Sequence, residues 1–138
     1  MIDIDNYKRA IRWLRRGLAE LDRQPGDPTV QASVLQSFEV TQNLSESALR
    51  QAYVSLGKDR EATYLSVREL IWRASEEGIV FPSCKQWLEY GLALESMREA
   101  MMLSLPQSIE NAPQLLSRFA QDLESFAHCL EKRLATNA

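Results

Sequence analysis

Five polar side chains, Gln36, Glu39, Asn43, Glu46 and Arg50, recur at steps of 3, 4, 3 and 4 residues. On a helix that spacing places them in one line. Apolar Val34, Leu35, Phe38, Leu49 and Tyr53 flank the line. Two carboxylates, two amides and a guanidinium in file can recognise a polar ligand or partner, and Glu39 could accept charge-assisted bonds from an amine or guanidinium. A solvated stripe would have the same spacing, but it more often lies on a broad wet face. A narrow polar seam between apolar positions fits a helix that borders a groove.

Other chemistry is sparse. The chain has no Gly-rich phosphate loop, no GxSxG and no HExxH. Its single histidine, His128, stands between Phe126 and Leu130 and reads as a partly buried packing residue. Cys84 and Cys129 lack CxxC spacing and suit small apolar core positions in a reducing compartment. One His and two distant Cys fall short of the four N/S ligands of a structural zinc site. No metal or other cofactor is expected. Lys8, Arg9, Arg12, Arg15 and Arg16 crowd one segment. They are either a solvated helix back or an electrostatic contact for an acidic partner or a nucleotide phosphate.

The elements that must position these residues are helical. At 138 residues with 45% hydrophobic and 25% charged, the chain fits one ordinary domain over 1–138 with a real core. A net charge of −3 argues against general nucleic-acid binding, DNA included. No apolar run could span a membrane and no signal peptide opens the chain, so a cytoplasmic location is expected. Ile4, Tyr7, Ile11, Leu14, Leu18 and Leu21 form the apolar seam of a first helix, capped by Asp3 or Asp5. That helix ends near Gln24, before Pro25-Gly26-Asp27-Pro28, and Gly17 within it signals close packing. A second helix runs from about Thr29 to Leu56, closed by Gly57. Capping boxes at Ser66-x-x-Glu69 and Ser83-x-x-Gln86 open a third and fourth helix, with Gly78 capping the third. Ser104-Leu105-Pro106 ends the fourth. A loop with Asn111 and Pro113 precedes the fifth, whose apolar face runs from Leu115 to Leu134. The fold predicted is an all-α, up-and-down bundle of about five helices, the second and last the longest. Trp13 and Trp72 lie off the main seams. A homodimer is expected through Trp72, Met97, Met101 and Met102, an apolar patch more than one bundle easily hides.

Two blocks carry a family resemblance. The first is Leu35-Gln36-x-Phe38-Glu39-x-Thr41 followed by Leu44. The second is Val67-Arg68-Glu69-Leu70-Ile71, then Ala74, Gly78-Ile79-Val80 and Trp87-Leu88. In order and spacing, over about residues 7 to 135, they resemble the nucleotidyltransferase substrate-binding proteins. The resemblance implies a helical bundle that dimerises and pairs with a separately encoded minimal nucleotidyltransferase. It would contribute a groove for a nucleotide or acceptor substrate and perform no catalysis itself. Gln36, Glu39, Asn43, Glu46 and Arg50, joined by Arg98 from the fourth helix, are the residues expected to line that groove.

The same family belongs to the wider HEPN group, some of whose members are ribonuclease toxins neutralised by their nucleotidyltransferase. That group's pattern places Arg-Asn after the Trp-Leu pair and a histidine four positions on. Here the direct register holds Leu94, Glu95 and Glu99, and a shift of one turn gives Arg98-Glu99 with Leu103. Neither register supplies the histidine, so the acid/base step loses its best candidate. Asn43, Glu46 and Ser47 also depart from the family's usual second helix, which implies a different specificity. A degenerate HEPN-type toxin and a plain helical adaptor stand as the alternatives to a binding subunit.

Overall fold

The structure, a computed structural model, describes residues 3–55, 64–103 and 112–136. Five helices and no strand are found among them: α1 (Ile4–Arg23), α2 (Pro28–Ser55), α3 (Val67–Glu76), α4 (Cys84–Met102) and α5 (Ala112–Thr136). The all-α bundle matches the expected class, and α2 and α5 are the longest at 28 and 25 residues.

Local chemistry sets the helix ends. Asp3, not Asp5, caps α1 by accepting the Asn6 N–H at 3.0 Å. Pro28 opens α2 one residue earlier than predicted, because a proline at the first helical position lacks only an N–H that would have no partner there. Pro113 likewise lies inside the first turn of α5 instead of in the preceding loop. Ser83 and Gln86 form the complete capping box of α4. Ser66 accepts the Glu69 N–H, but the Glu69 carboxylate makes no return bond among the described residues, so that box is half formed. Gly78 closes α3 at φ +76°, with Ile79 N–H on Ala74 O and Gly78 N–H on Ser75 O. This 6→1 and 5→2 pairing needs the left-handed residue that Gly supplies. The expected stops at Gly57 and at Ser104-Leu105-Pro106, and the residue Asn111, lie outside the described residues.

Helix α2 is the hub, packing on α1, α3, α4 and α5. A helix so placed must bury polar groups. Ser37, Thr41 and Ser45 have almost no exposed surface. Each hydroxyl donates to the carbonyl one turn back: Ser37 to Ser33 at 3.0 Å, Thr41 to Ser37 at 2.8 Å, Ser45 to Thr41 at 2.6 Å. These short side chains satisfy themselves and keep α2 slim on that face. Tyr7 of α1 adds its hydroxyl to Ser45 Oγ at 2.6 Å. Beside this line, Gly17 brings α1 close to α2, since a Cβ there would meet Val34 Cγ2 at 3.1 Å.

Aromatic rings fill the space between α2, α4 and α5. Phe38 and Phe119 centre 4.5 Å apart, Tyr90 and Phe119 5.0 Å, and Phe81 packs edge-on to Phe126 at 4.8 Å. Tyr90 is fully buried and donates its hydroxyl to Asp122, tying α4 to α5. Burial first, and then the Asp122 bond, push its phenol up to about 12. Burial also raises the Tyr7 phenol, with Ser45 acting in the opposite sense.

Removal of the Ser45 hydroxyl should orphan Tyr7. Ser45→Ala is expected to destabilise by about 1–3 kcal/mol, while Ser37→Ala, which strands no partner, costs less. Chemical denaturation of Ser45→Ala with and without Tyr7→Phe checks this, because the second change should recover part of the loss. The raised phenols give a second expectation. Above the ordinary value of 10, the unfolded chain loses phenolic protons that the folded chain retains, so stability present below pH 10 falls as pH rises toward 12. Thermal unfolding across that window should show the fall, and Tyr90→Phe should shrink it.

Candidate functional site

The five seam residues lie together on the border between α2 and its neighbours, and each charged member has a partner. Glu39 meets Arg98 Nη2 at 3.0 Å, a pair left about half exposed. Glu46 accepts the Trp87 indole N–H at 2.9 Å. Arg50 donates to the Leu65 carbonyl at 2.8 Å, just before α3 begins. Gln36 and Asn43 are exposed. The seam is therefore a polar border between α2 and α4, reaching α3 at one end.

Packing fixes this border. Trp87 is held between Phe81 and Phe119, with ring centres at 4.8 and 6.0 Å, so its indole N–H has one direction to point. Gly91, one turn on, faces Gln42 of α2, whose Nε2 lies at ordinary contact distance, 3.4 Å, from where a Cβ would sit. Arg98 continues the same edge of α4. An exposed ion pair such as Glu39–Arg98 contributes only about 0–1 kcal/mol. Either partner can thus be drawn to a ligand at small cost, while buried Trp87 stays in place.

The residues expected at a dimer interface are divided. Trp72 and Met102 are 63% and 81% exposed, Met101 is half-buried, and Met97 is a core residue at 3%. Met97 stands three positions after Leu94 on the inner face of α4, so it has no free surface to offer. The outer face of α4 instead shows Leu88 and Leu92, 64% and 56% exposed.

Two expectations on charged and titrating groups need correction. His128 is exposed, not partly buried. Positions two apart on a helix face opposite ways, so the buried Phe126 and Leu130 turn it outward. It lines a cleft of about 340 Å³ between α1 and α5 with Lys8, Arg12 and Arg15. The basic cluster, in turn, is not one face. Lys8 pairs with Glu131, and Arg15 with Glu124 at 2.6 Å, on the α5 side. Arg9 and Arg16 instead border a groove on the α2 side, with Trp13, while Arg12 lies between the two sides and lines both; none of the three guanidiniums has an ion pair among the described residues. Sequence spacing contained only the two rows, since Lys8, Arg12 and Arg15 recur at 4 and 3 and so do Arg9, Trp13 and Arg16. What spacing could not supply was the location of the acids on α5.

Cys84 and Cys129 are free and half-buried, and no cluster of three or more metal-ligating residues occurs among the described residues. No described helix is long and apolar enough to cross a membrane. The sequence model of the family described as "Nucleotidyltransferase substrate binding protein like" matches residues 2–131. No curated protein matches the chain.

Proposed function

This chain belongs to the nucleotidyltransferase substrate-binding protein family, and from that premise we propose that it is the substrate-binding partner of a separately encoded minimal nucleotidyltransferase. It acts as a homodimer, leaves the transfer of the nucleotide to the partner chain, and presents a groove to the nucleotide or its acceptor. Family membership carries this proposal. The α2–α4 border supports the groove: Gln36 and Asn43 are open to solvent, and Glu39 and Arg98 are held in a weak, exchangeable pair. Glu46 and Arg50 brace the walls through Trp87 and Leu65.

The outer face of α4 supports the dimer. Lys85, Leu88, Leu92 and Glu95 follow at steps of 3, 4 and 3 and are all exposed. An antiparallel two-fold centred at the level of Tyr90 sets Leu88 against Leu92 of a second copy and Lys85 against its Glu95. The stripe is thus complementary to itself, as an isologous interface requires. The uncovered 64% and 56% of Leu88 and Leu92, from two copies, contribute about 4–7 kcal/mol gross when buried, against an association cost of about 4–15. The stripe alone leaves a weak dimer, so Trp72 and Met102 are assigned the remaining apolar area.

Two measurements test these statements. Co-expressed with the minimal nucleotidyltransferase of an adjacent reading frame, the chain should co-purify with it, and transfer should require both. Gln36→Ala/Asn43→Ala with Glu39→Ala should lower kcat/KM about tenfold, the loss of one or two hydrogen bonds. Unchanged activity would return the border to ordinary surface. In light scattering, the wild type should show the mass of two chains. Lys85→Glu should yield monomers, and Lys85→Glu/Glu95→Lys should restore the dimer. A monomeric wild type, or a failure of the double exchange to restore, would remove the stripe from the interface.

A further inference from the structure

The cations of α1 fall into two groups. Lys8 and Arg15 are neutralised by α5, whereas Arg9 and Arg16 on the α2 side, and Arg12 between the two sides, have no ion pair among the described residues. Their spacing is unfavourable for the helix itself, because like charges at i,i+3 and i,i+4 repel. Asp5 and Glu20 stand one turn beyond either end of the ladder, and Glu20 engages Arg23 instead. Among the described residues, three guanidiniums in a row thus have no carboxylate partner, although the net charge of the chain is −3. Between Arg9 and Arg16 lies Trp13, 46% exposed, in a groove of about 660 Å³ whose far wall is Val40 and Leu44 of α2.

We propose that this α1–α2 groove binds a short stretch of single-stranded nucleic acid, with a base stacked on Trp13 and phosphates on Arg9, Arg12 and Arg16. From Arg9 to Arg16 the helix rises about 10.5 Å. A stacked strand carries one charge per about 3.4 Å, so the ladder faces about three successive phosphates. An indole beside a basic track is the usual stacking platform for a strand held without sequence readout. An acidic helix of a protein partner would satisfy the arginines as well, but it meets the indole only where an aromatic side chain happens to fall, whereas every nucleotide of a strand carries a planar base. The inference extends the substrate-binding reading by naming a ligand class at a second place on the molecule. It is tested on the isolated chain, so its failure would leave the nucleotidyltransferase pairing untouched.

Fluorescence anisotropy of fluorescein-labelled pentauridylate, and of its deoxy counterpart, measures the binding at several salt concentrations. The expected slope of log K against log salt is about −2, the value for three phosphates on a single strand. Arg9→Gln/Arg16→Gln should reduce the slope to about −0.7. Trp13→Ala should weaken binding about tenfold with the slope unchanged, and Trp13→Phe should retain most of it. Circular dichroism of each variant checks that the helices persist. Equal binding of the two oligonucleotides assigns the contact to base and phosphate, and tighter RNA binding adds the 2′-hydroxyl; either result upholds the proposal. It is overturned if neither oligonucleotide binds, if Trp13→Ala binds as the wild type does, or if a polyglutamate of equal charge displaces the oligonucleotide as readily as unlabelled oligonucleotide.

Discussion

A helix that packs on every other element of a bundle must satisfy the polar groups it buries, and α2 does so from within. Its buried hydroxyls, Ser37, Thr41 and Ser45, bond to its own carbonyls one turn back. Larger polar groups would have needed partners on a neighbouring helix, and larger apolar ones would have widened the spacing. The result is a slim face against which α1 closes tightly, at Gly17 over Val34 and at Tyr7 over Ser45. With α1 so placed, α5 packs on α1, and α4 packs on both α2 and α5.

That arrangement gives α4 two unlike surfaces. Inward, Trp87, Tyr90, Leu94 and Met97 enter the aromatic core. At one edge Trp87 and Arg98 reach the polar line of α2, and on the outside Leu88 and Leu92 remain uncovered. Trp87 belongs to both core and border, since its ring packs on Phe81 while its N–H holds Glu46. The geometry of the border is therefore as rigid as the core beneath it. The ion pair farther along is not, because Glu39 and Arg98 meet at the surface, where water competes for both.

Periodicity made the helices legible, and the capping residues placed most of their starts. The misplacements have local causes: Pro28 reads as part of a breaker cluster and Pro113 as a loop residue, although a proline is at home in a first turn. His128 was judged by its apolar neighbours along the chain, where rotation about the helix sends it the other way. The seam from Gln36 to Arg50 was legible as a line but not as a set of pairs. Spacing within one helix fixes which side chains share a face; it cannot say which helix lies opposite. Glu46 and Trp87 are 41 residues apart, and only the assembled bundle brings them together. The same gap hid the division of the basic cluster, which depends on Glu124 and Glu131 a hundred residues downstream.

The three surfaces to which a role is proposed do not overlap. The arginines lie between α1 and α2, the polar border between α2 and α4, and the leucine stripe on the far side of α4. The proposed roles require this separation, because a shared face would force one occupant to displace another. Separation does not mean independence. The stripe and the border are two sides of the same helix, and Arg98 lies within a turn of Glu95. The exposed Glu39–Arg98 pair is the weaker contact of the border, and Trp87, wedged among rings, is the part that the core holds in place.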